Sequence, residues 1–190
     1  MKIFKLLSTF ALGVIALQAS AQTETPKGFS KGSITLADNT VLTGLVKDNI
    51  RRDASVTLLA DGKEKVYNGS DLLTAETANG RFTCIKGDFF KIVAKGELSF
   101  LQKSSDASSQ VTFNGNEAML NSGTEGTPGD YFIYNSKANE LKLVSKKNLN
   151  EVISNSFNNY SPAVEKAKTA KSDITILKEA VEIYNNRSGK

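Results

Sequence analysis

The sequence predicts an α+β protein, in which an antiparallel β-meander with a barrel-like or sandwich arrangement precedes two or three short C-terminal helices. Short runs of alternating apolar and polar residues, separated by Asp-Asn, Asp-Gly and Asn-Gly turns, extend over residues 29–145. Beyond this segment the apolar residues recur at intervals of three and four, which is typical of amphipathic helices. Strands that precede helices in this way favour a segregated α+β arrangement over the alternating βαβ units of a parallel sheet.

Residues 1–21 have the pattern of a cleavable secretory signal peptide. Lys2 and Lys5 form a short basic region, which an uncharged and mostly apolar stretch follows. Ala19 and Ala21 occupy the two positions that signal peptidase recognises, so we predict cleavage after Ala21. The apolar stretch is shorter than the roughly 20 residues that a membrane-spanning helix needs, which disfavours an uncleaved anchor.

Export to the periplasm, to the outer membrane or out of the cell follows from this prediction. The residue after the predicted cleavage site is Gln22 and the only cysteine is Cys84, which excludes a lipid anchor at the new N-terminus. Residues 22–28 are expected to form a flexible leader. No later stretch is long and apolar enough to span a membrane, so we expect a mature chain without a transmembrane segment.

The β domain, residues 29–145, begins with three predicted hairpins. Their turns lie at Asp38-Asn39, Asp61-Gly62 and Asn79-Gly80. The flanking strands are predicted at residues 29–37 and 40–46, 55–60 and 63–67, and 72–78 and 81–85. Such dipeptides tolerate the positive φ angles that tight hairpin turns require.

Four further strands complete the predicted β domain. They are expected at residues 89–94, 97–102, 131–134 and 140–144. Between them, residues 103–130 are rich in Ser, Gly, Asn and Thr, with one weak strand at residues 110–113. We interpret this segment as a long, polar and exposed loop.

The C-terminal segment, residues 146–190, is predicted to form helices that pack on the β domain. Ser161-Pro162 and Asp173 favour helix starts, because they match the residue preferences of the N-cap and of the first helical position. The apolar faces of the first and last helices comprise Leu149, Val152, Ile153 and Phe157, and Ile174, Leu177, Val181 and Tyr184. These faces are too narrow to stabilise isolated helices, so packing on the sheet is expected.

The composition excludes several kinds of chemistry. The chain contains no histidine, so Ser-His-Asp and Cys-His mechanisms are impossible and the commonest metal ligand is missing. The net charge of +4 includes the signal-peptide lysines Lys2 and Lys5, so the mature chain has 22 basic and 20 acidic residues. This nearly even balance gives no reason to expect binding to nucleic acid. No nucleotide-binding or metal-ligand spacing is present, so no cofactor and no metal are predicted. Cys84 cannot form an internal disulfide, and its strand-like surroundings favour burial, although its role is not indicated.

Three segments of the mature chain share an order that is familiar from other sequences. They are KGSI with DNTVLTG at residues 31–44, FFKIVAKGEL at residues 89–98, and YFI at residues 131–133 with VEIYN at residues 181–185. Together they resemble a loose group of uncharacterised secreted β-rich proteins of Bacteroidetes-type bacteria. The resemblance implies export and a β-rich fold. It implies no functional residue, because the group has no established activity.

The leading functional prediction is an exported, non-enzymatic interaction or structural module of the cell envelope. Its exposed strand edges would bind another envelope protein or a peptide. One alternative is a small-ligand carrier with an apolar cavity inside the β domain. The other, ranked last, is a hydrolase that uses two convergent carboxylates. The sequence identifies no catalytic, ligand-binding or metal-binding residue.

Overall fold

A computed structural model describes residues 25–109, 111–114, 117–120, 123–158, 160–171 and 173–188. Ten strands form one antiparallel sheet, and two further strands form a separate hairpin. Three helices of 8 to 12 residues follow the sheet in the chain. The predicted α+β class, with an antiparallel β domain before short C-terminal helices, is therefore confirmed. The predicted signal peptide lies outside the described residues.

The strands and helices of the described residues are numbered in chain order. The strands are β1 Phe29–Leu36, β2 Val41–Asn49, β3 Ser55–Ala60, β4 Lys63–Asn68, β5 Leu72–Thr77, β6 Gly80–Ile85, β7 Asp88–Ala94, β8 Leu98–Lys103, β9 Val111–Asn114, β10 Glu117–Leu120, β11 Tyr131–Asn135 and β12 Glu140–Val144. The helices are α1 Ile50–Asp53, α2 Leu149–Ser156, α3 Ser161–Lys168 and α4 Ile174–Asn185. Short 3₁₀ helices cover Gly69–Asp71, Ala107–Ser109 and Asn186–Ser188.

The sheet departs from a simple meander at one place. Its strands are ordered β12-β11-β8-β7-β6-β5-β1-β2-β3-β4. After β4 the chain returns through Gly69–Asp71 to the free side of β1, where Ile34 of β1 lies opposite Ala75 of β5. The first strand of the chain is therefore internal to the sheet, and β4 and β12 are its two edges.

Close backbone contacts at glycines accompany a strong curl of the sheet. Gly32 and Gly44 lie opposite each other in β1 and β2. A Cβ atom on Gly32 would lie 2.2 Å from the carbonyl oxygen of Glu76, so no larger residue fits there without movement. At the end of β4, a Cβ on Gly69 would lie 2.0 Å from the carbonyl oxygen of Gly87 in the β6–β7 turn. The curl thus brings β4 close to β7 without closing the sheet into a barrel.

Two large apolar clusters lie on the sheet. The first, under the curled half, contains Ile34, Val46, Ile50, Val56, Leu58, Tyr67, Leu72, Ala75, Phe82 and Phe89. The second joins the sheet to the helices and contains Leu98, Phe100 and Ile133 with Val152, Ile153, Phe157, Ala163, Ala167, Leu177, Ala180, Val181 and Tyr184. No helix within the described ranges is long and apolar enough to cross a membrane.

The segment between β8 and β11 is held to the sheet by a buried ion pair. Lys103 Nζ lies 3.1 Å from a carboxylate oxygen of Asp88, and both side chains are fully buried. Asp88 also accepts hydrogen bonds from the N–H of Ala107 and from the N–H and hydroxyl of Thr124. Lys103 donates to the carbonyl oxygens of three consecutive residues that begin at Thr124. Both ends of this segment are therefore anchored, which differs from the loose exposed loop that its composition suggested.

Described residues near the end of the anchored segment lie against the outer face of β7, β8 and β11. Phe90, Leu101 and Phe132 form a third buried cluster on this face. The rings of Phe90 and Phe132 meet edge to face, with centroids 5.2 Å apart. Gly126, with φ +75°, approaches so closely that a Cβ there would lie 3.1 Å from the Phe132 ring. The segment also contains the β9–β10 hairpin, where the sequence predicted a single weak strand.

The last residues of α4 fasten this helix to the β7–β8 turn. The side-chain oxygen of Asn185 accepts from the N–H of Leu98 at 3.0 Å, and its amide donates to the Leu98 carbonyl at 2.8 Å. Asn185 thus bonds both backbone groups of Leu98, as a residue of a neighbouring strand would. Gly96 leaves room for this contact, because a Cβ at that position would lie 2.2 Å from Asn185.

Glu97 adds a charged contact to the same junction. Its carboxylate accepts hydrogen bonds from Lys137 Nζ and from the Arg187 guanidinium, each at 2.7 Å. The guanidinium also lies 3.7 Å from the centroid of the Tyr184 ring. The hydrogen bonds from Lys137 and Arg187 hold the pKa of Glu97 below its usual value.

Candidate functional site at the edge strand

Strand β4 is a free edge of the ten-stranded sheet, since within the described residues it pairs only with β3. Ala60 and Lys63 flank the two-residue turn and form a hydrogen-bonded pair, after which hydrogen-bonded and non-hydrogen-bonded pairs alternate along the hairpin. Glu64 and Val66 consequently direct their backbone N–H and C=O groups away from β3. These groups are available to an added strand.

The free edge is short and mostly charged. It ends at Asn68, whose N–H donates to the carboxylate of Asp71 at 2.9 Å. Its exposed charged residues are Lys63, Glu64 and Lys65. Charged side chains on an edge protect a sheet from unspecific self-association. Val66 departs from this pattern, because 59% of this apolar residue is exposed.

A groove of about 790 Å³ borders β4. Its apolar lining includes Leu42, Leu58 and Tyr67. A second depression of about 530 Å³ shares Tyr67 and is lined by Leu36 and Val66 as well. An added strand directs alternate side chains to opposite faces of a sheet, and these depressions offer apolar contact surface beside β4.

Basic side chains dominate the charge of the groove. Lys31, Lys63 and Lys65 line it together with one acid, Asp61. The Lys65 ammonium lies 4.8 Å from the centroid of the Tyr67 ring, in cation–π contact. In the described part of the chain, none of the three lysines forms an ion pair. The groove therefore favours a partner segment that carries acidic side chains.

Cys84 lies half-buried on β6, beside the first apolar cluster. Burial raises the pKa of its thiol, so the thiol stays protonated at neutral pH and is a poor nucleophile. The predicted burial of Cys84 is thus partial. The described residues contain no group of three or more Cys, Asp or Glu side chains placed to hold a metal ion. Ala19 and Ala21 lie outside the described residues, and signal-peptide cleavage stays a prediction.

Asp88, the most deeply buried acidic side chain among the described residues, is paired with Lys103. Asp88 is the only fully buried carboxylate among the described residues. A carboxylate-based hydrolase needs a second carboxyl group that converges on the first. The groups that converge on Asp88 are instead the Lys103 ammonium and hydrogen-bond donors of the anchored segment. This arrangement supports a role in folding.

Sequence reasoning identified exposed strand edges as the contact surface but did not identify the strand. In a simple meander β1 would be an edge, whereas here β5 covers β1 and leaves β4 free. The one local indication was the charged run Lys63-Glu64-Lys65, since charges are typical of edge strands. That pattern also fits any solvated hairpin, so the topology was needed to decide.

Comparisons with protein-family models, with curated proteins and with solved structures found no match for this chain. The resemblance to secreted β-rich proteins therefore stays a prediction from three short segments. The interpretation of the edge strand rests on its own geometry and charge.

Proposed function

We propose that the mature chain is an exported, non-enzymatic β-rich module of the cell envelope that binds an extended segment of another envelope protein or peptide along β4. One observation carries this proposal: Glu64 and Val66 present unpaired backbone groups beside a groove that is lined with apolar and basic side chains. The export component is supported by the pattern of residues 1–21, with cleavage after Ala21.

The partner segment would add an eleventh strand to the sheet. Its backbone would exchange hydrogen bonds with Glu64 and Val66, each contributing a net stabilisation of about 1 kcal/mol. Because this contribution is small, side chains must supply most of the affinity and all of the selectivity. Apolar side chains would contact Tyr67, and acidic ones would pair with Lys63 and Lys65. Because Lys63, Lys65 and Tyr67 lie on one face of β4, the expected partner is an extended segment that carries its acidic and apolar residues on one face, at every second position.

The two alternative functions have weaker support in the geometry. A carrier of the predicted kind needs a cavity enclosed by the β domain, whereas the sheet is open and Ile34, Phe82 and Phe89 fill the concave face. The hydrolase needs paired carboxylates, and Asp88 is paired with Lys103 instead. An interaction module is the function that the described residues support best.

Site-specific photo-crosslinking in the producing cells tests the edge. A photoreactive residue in place of Glu64 should crosslink to one partner. A matched residue in place of Glu76, exposed on β5 but between two paired strands, should not. Equal crosslinking from both positions, or none from position 64, would contradict the proposal.

Val66→Pro tests whether backbone pairing contributes to the interaction. Proline removes the N–H that faces away from β3 and leaves the β3–β4 hydrogen bonds intact, so we expect a folded protein. Binding to the partner identified by crosslinking should fall strongly. Val66→Ala is the control, because it removes the side chain and keeps the N–H. If Val66→Pro binds as well as the parent while remaining folded by circular dichroism, β4 does not add a strand.

Mass spectrometry of the native protein tests export separately. The expected N-terminal residue is Gln22, because cleavage is predicted after Ala21. Recovery of a chain with intact Met1 from the cell envelope would refute cleavage, whatever the outcome at β4.

A further inference from the structure

A cleft of about 260 Å³ lies where the first apolar cluster meets the anchored segment. The α1 corner, the β5–β6 turn and the concave side of β6 to β8 form its walls, and Pro128 and Gly129 complete it. The cleft shares no lining residue with the groove beside β4. The cleft and the groove are therefore two separate sites.

The cleft contains a lysine at a position where the sheet pattern predicts an apolar residue. Lys91 lies two residues after the fully buried Phe89 on the same strand, so both side chains point to the same face of the sheet. Its cross-strand neighbours are Phe82 on β6 and Gln102 on β8. A charged residue that interrupts an apolar face is a departure from the folding pattern, and such departures are typical of functional positions.

The Lys91 side chain passes close to Gly80 at the β5–β6 turn. Gly80 has φ +129°, and a Cβ there would lie 3.1 Å from Cε and 3.8 Å from Nζ of Lys91. The lysine side chain therefore lies across the glycine, and its ammonium is positioned at the cleft.

The charges that line the cleft are unequally compensated. One carboxylate oxygen of Asp48 accepts from the hydroxyl of Thr77 at 3.0 Å and from the side-chain amide of Asn79 at 2.9 Å, and the other accepts from the N–H of Ile50 at 3.0 Å. Lys103 also lines the cleft, but its ammonium is paired with Asp88. Arg51 and Lys91 are exposed and, among the described residues, have neither an ion pair nor a hydrogen bond from their side chains. The cleft therefore holds two uncompensated cations beside one carboxylate whose oxygens are already occupied.

We propose that this cleft binds a small organic anion, whose carboxylate or phosphate group contacts Arg51 and Lys91 and whose apolar part contacts Phe82. Guanidinium and ammonium groups are the side chains that bind oxyanions most strongly, and Phe82 lines the cleft beside them as an apolar residue, together with Ile50 and Pro128. The volume of the cleft limits the ligand to a few functional groups. Its charge excludes cations, which Arg51 and Lys91 would repel.

Titration of isotope-labelled mature protein with small probes, followed by NMR, tests the proposal. Benzoate and phenyl phosphate represent the two oxyanions, inorganic phosphate lacks the apolar part, and benzyl alcohol lacks the charge. We expect saturable shifts at the amides of Arg51, Lys91 and Gln102 with the first two probes. Whichever of these two binds more tightly identifies the oxyanion. Binding should weaken with added salt, because exposed charges are screened.

Lys91→Gln should weaken the binding of the preferred probe by roughly tenfold, since it removes one charge-assisted hydrogen bond. Lys95→Gln is the matched control, because Lys95 is exposed between β7 and β8 and does not line the cleft. The folded state of both variants is checked by their NMR spectra. Benzyl alcohol that binds as tightly as benzoate, or an unchanged affinity in Lys91→Gln, overturns the proposal. Inorganic phosphate that binds as tightly as phenyl phosphate overturns the role of Phe82.

The edge-strand variant separates this proposal from the function of β4. Val66→Pro should bind the anionic probe with unchanged affinity, because Val66 does not line the cleft. Loss of probe binding in a folded Val66→Pro protein would show that the shifts come from the edge strand, and it would overturn the assignment to the cleft.

Discussion

Asp88 and Lys103 are buried as charges, which is costly because both leave water. This cost is offset because the Lys103 ammonium and the Asp88 carboxylate also form hydrogen bonds with other groups. No buried side-chain nitrogen or oxygen in the described part of the chain lacks a hydrogen-bond partner. The pair therefore connects the sheet to Ala107 and to residues 124–126 through a network of hydrogen bonds.

Lys103→Met tests this network. It leaves Asp88 buried and uncompensated, so the free energy of unfolding should fall by about 3–5 kcal/mol in urea denaturation. The double variant Asp88→Leu/Lys103→Met should stay strongly destabilised, because the N–H groups of Ala107 and Thr124 lose their acceptor. Lys95→Met is the exposed control. A double variant as stable as the parent would show that the hydrogen bonds to the segment contribute nothing.

Glu97 makes stability depend on pH in an acidic range. Its pKa is lowered in the folded protein by Lys137 and Arg187, so its stabilising contribution is complete above its usual pKa. The contribution is lost as the pH falls through the lowered value. Glu97→Gln should therefore reduce stability at pH 7 by at most about 1 kcal/mol, because the group is partly exposed to solvent. Unfolding curves at several pH values should show the two proteins converge in acid, and a constant difference would contradict this.

At the scale of elements, the docking of α4 depends on one side chain that acts as a short strand. Asn185 bonds both backbone groups of Leu98, and Gly96 provides the space. The contact lies where helix and sheet meet, so it fixes the position of the helix along its axis.

Asn185→Ala should destabilise the docking of α4 by about 1–3 kcal/mol, since it leaves the backbone groups of Leu98 without partners. Hydrogen exchange should show faster opening of the α4 amides than in the parent. Gly96→Ala alone should be harmful, because its new methyl group meets the Asn185 side chain. The same substitution should cost less when Asn185 is already alanine, and additive effects would contradict the contact.

Turns and helix caps, which depend on residues that are adjacent in the sequence, could be predicted from the sequence. Asn39, Asp61 and Gly62 have the positive φ angles that their turns require, and the side chain of Asp173 accepts from the N–H of Thr175 as an N-cap does. The anchored segment was misjudged because its anchors lie outside it. A charge on a strand, such as Asp88 or Lys103, has the same sequence pattern whether it faces water or a buried partner.

For the whole molecule, the fold class followed from the order of strands and helices, but the pairing of β1 with β5 did not. Ser33 and Thr35 provide no local information on which of several possible strands lies beside them. The candidate site could not be predicted from the sequence for the same reason, because the pairing of β1 with β5 decides that β4 is a free edge. The proposed anion cleft is also assembled from distant segments, which bring Arg51 to the same place as Lys91.

The two large apolar clusters predict uneven stability across the molecule. Leu177→Ala should lower the free energy of unfolding by about 2–5 kcal/mol, because Leu177 is buried between the helices and the sheet. Hydrogen exchange should accelerate more in β8 and β11 than in β2 and β3, since the first cluster contains no residue of α2 to α4. Leu73→Ala, at an exposed position, is the control. Uniform acceleration in all strands would show one cooperative unit.

The internal position of β1 has a consequence for the order in which the chain is made. When β1 to β4 have been synthesised they can form a four-stranded ribbon with two open sides. Residues 72–77 emerge later and close the side at β1, whereas no later described strand reaches β4. A circular permutant that begins at β5 and joins its C-terminal end to β1 would reverse this history. Its refolding rate, compared with that of the parent, would show whether the position of β1 in the chain affects the rate of folding.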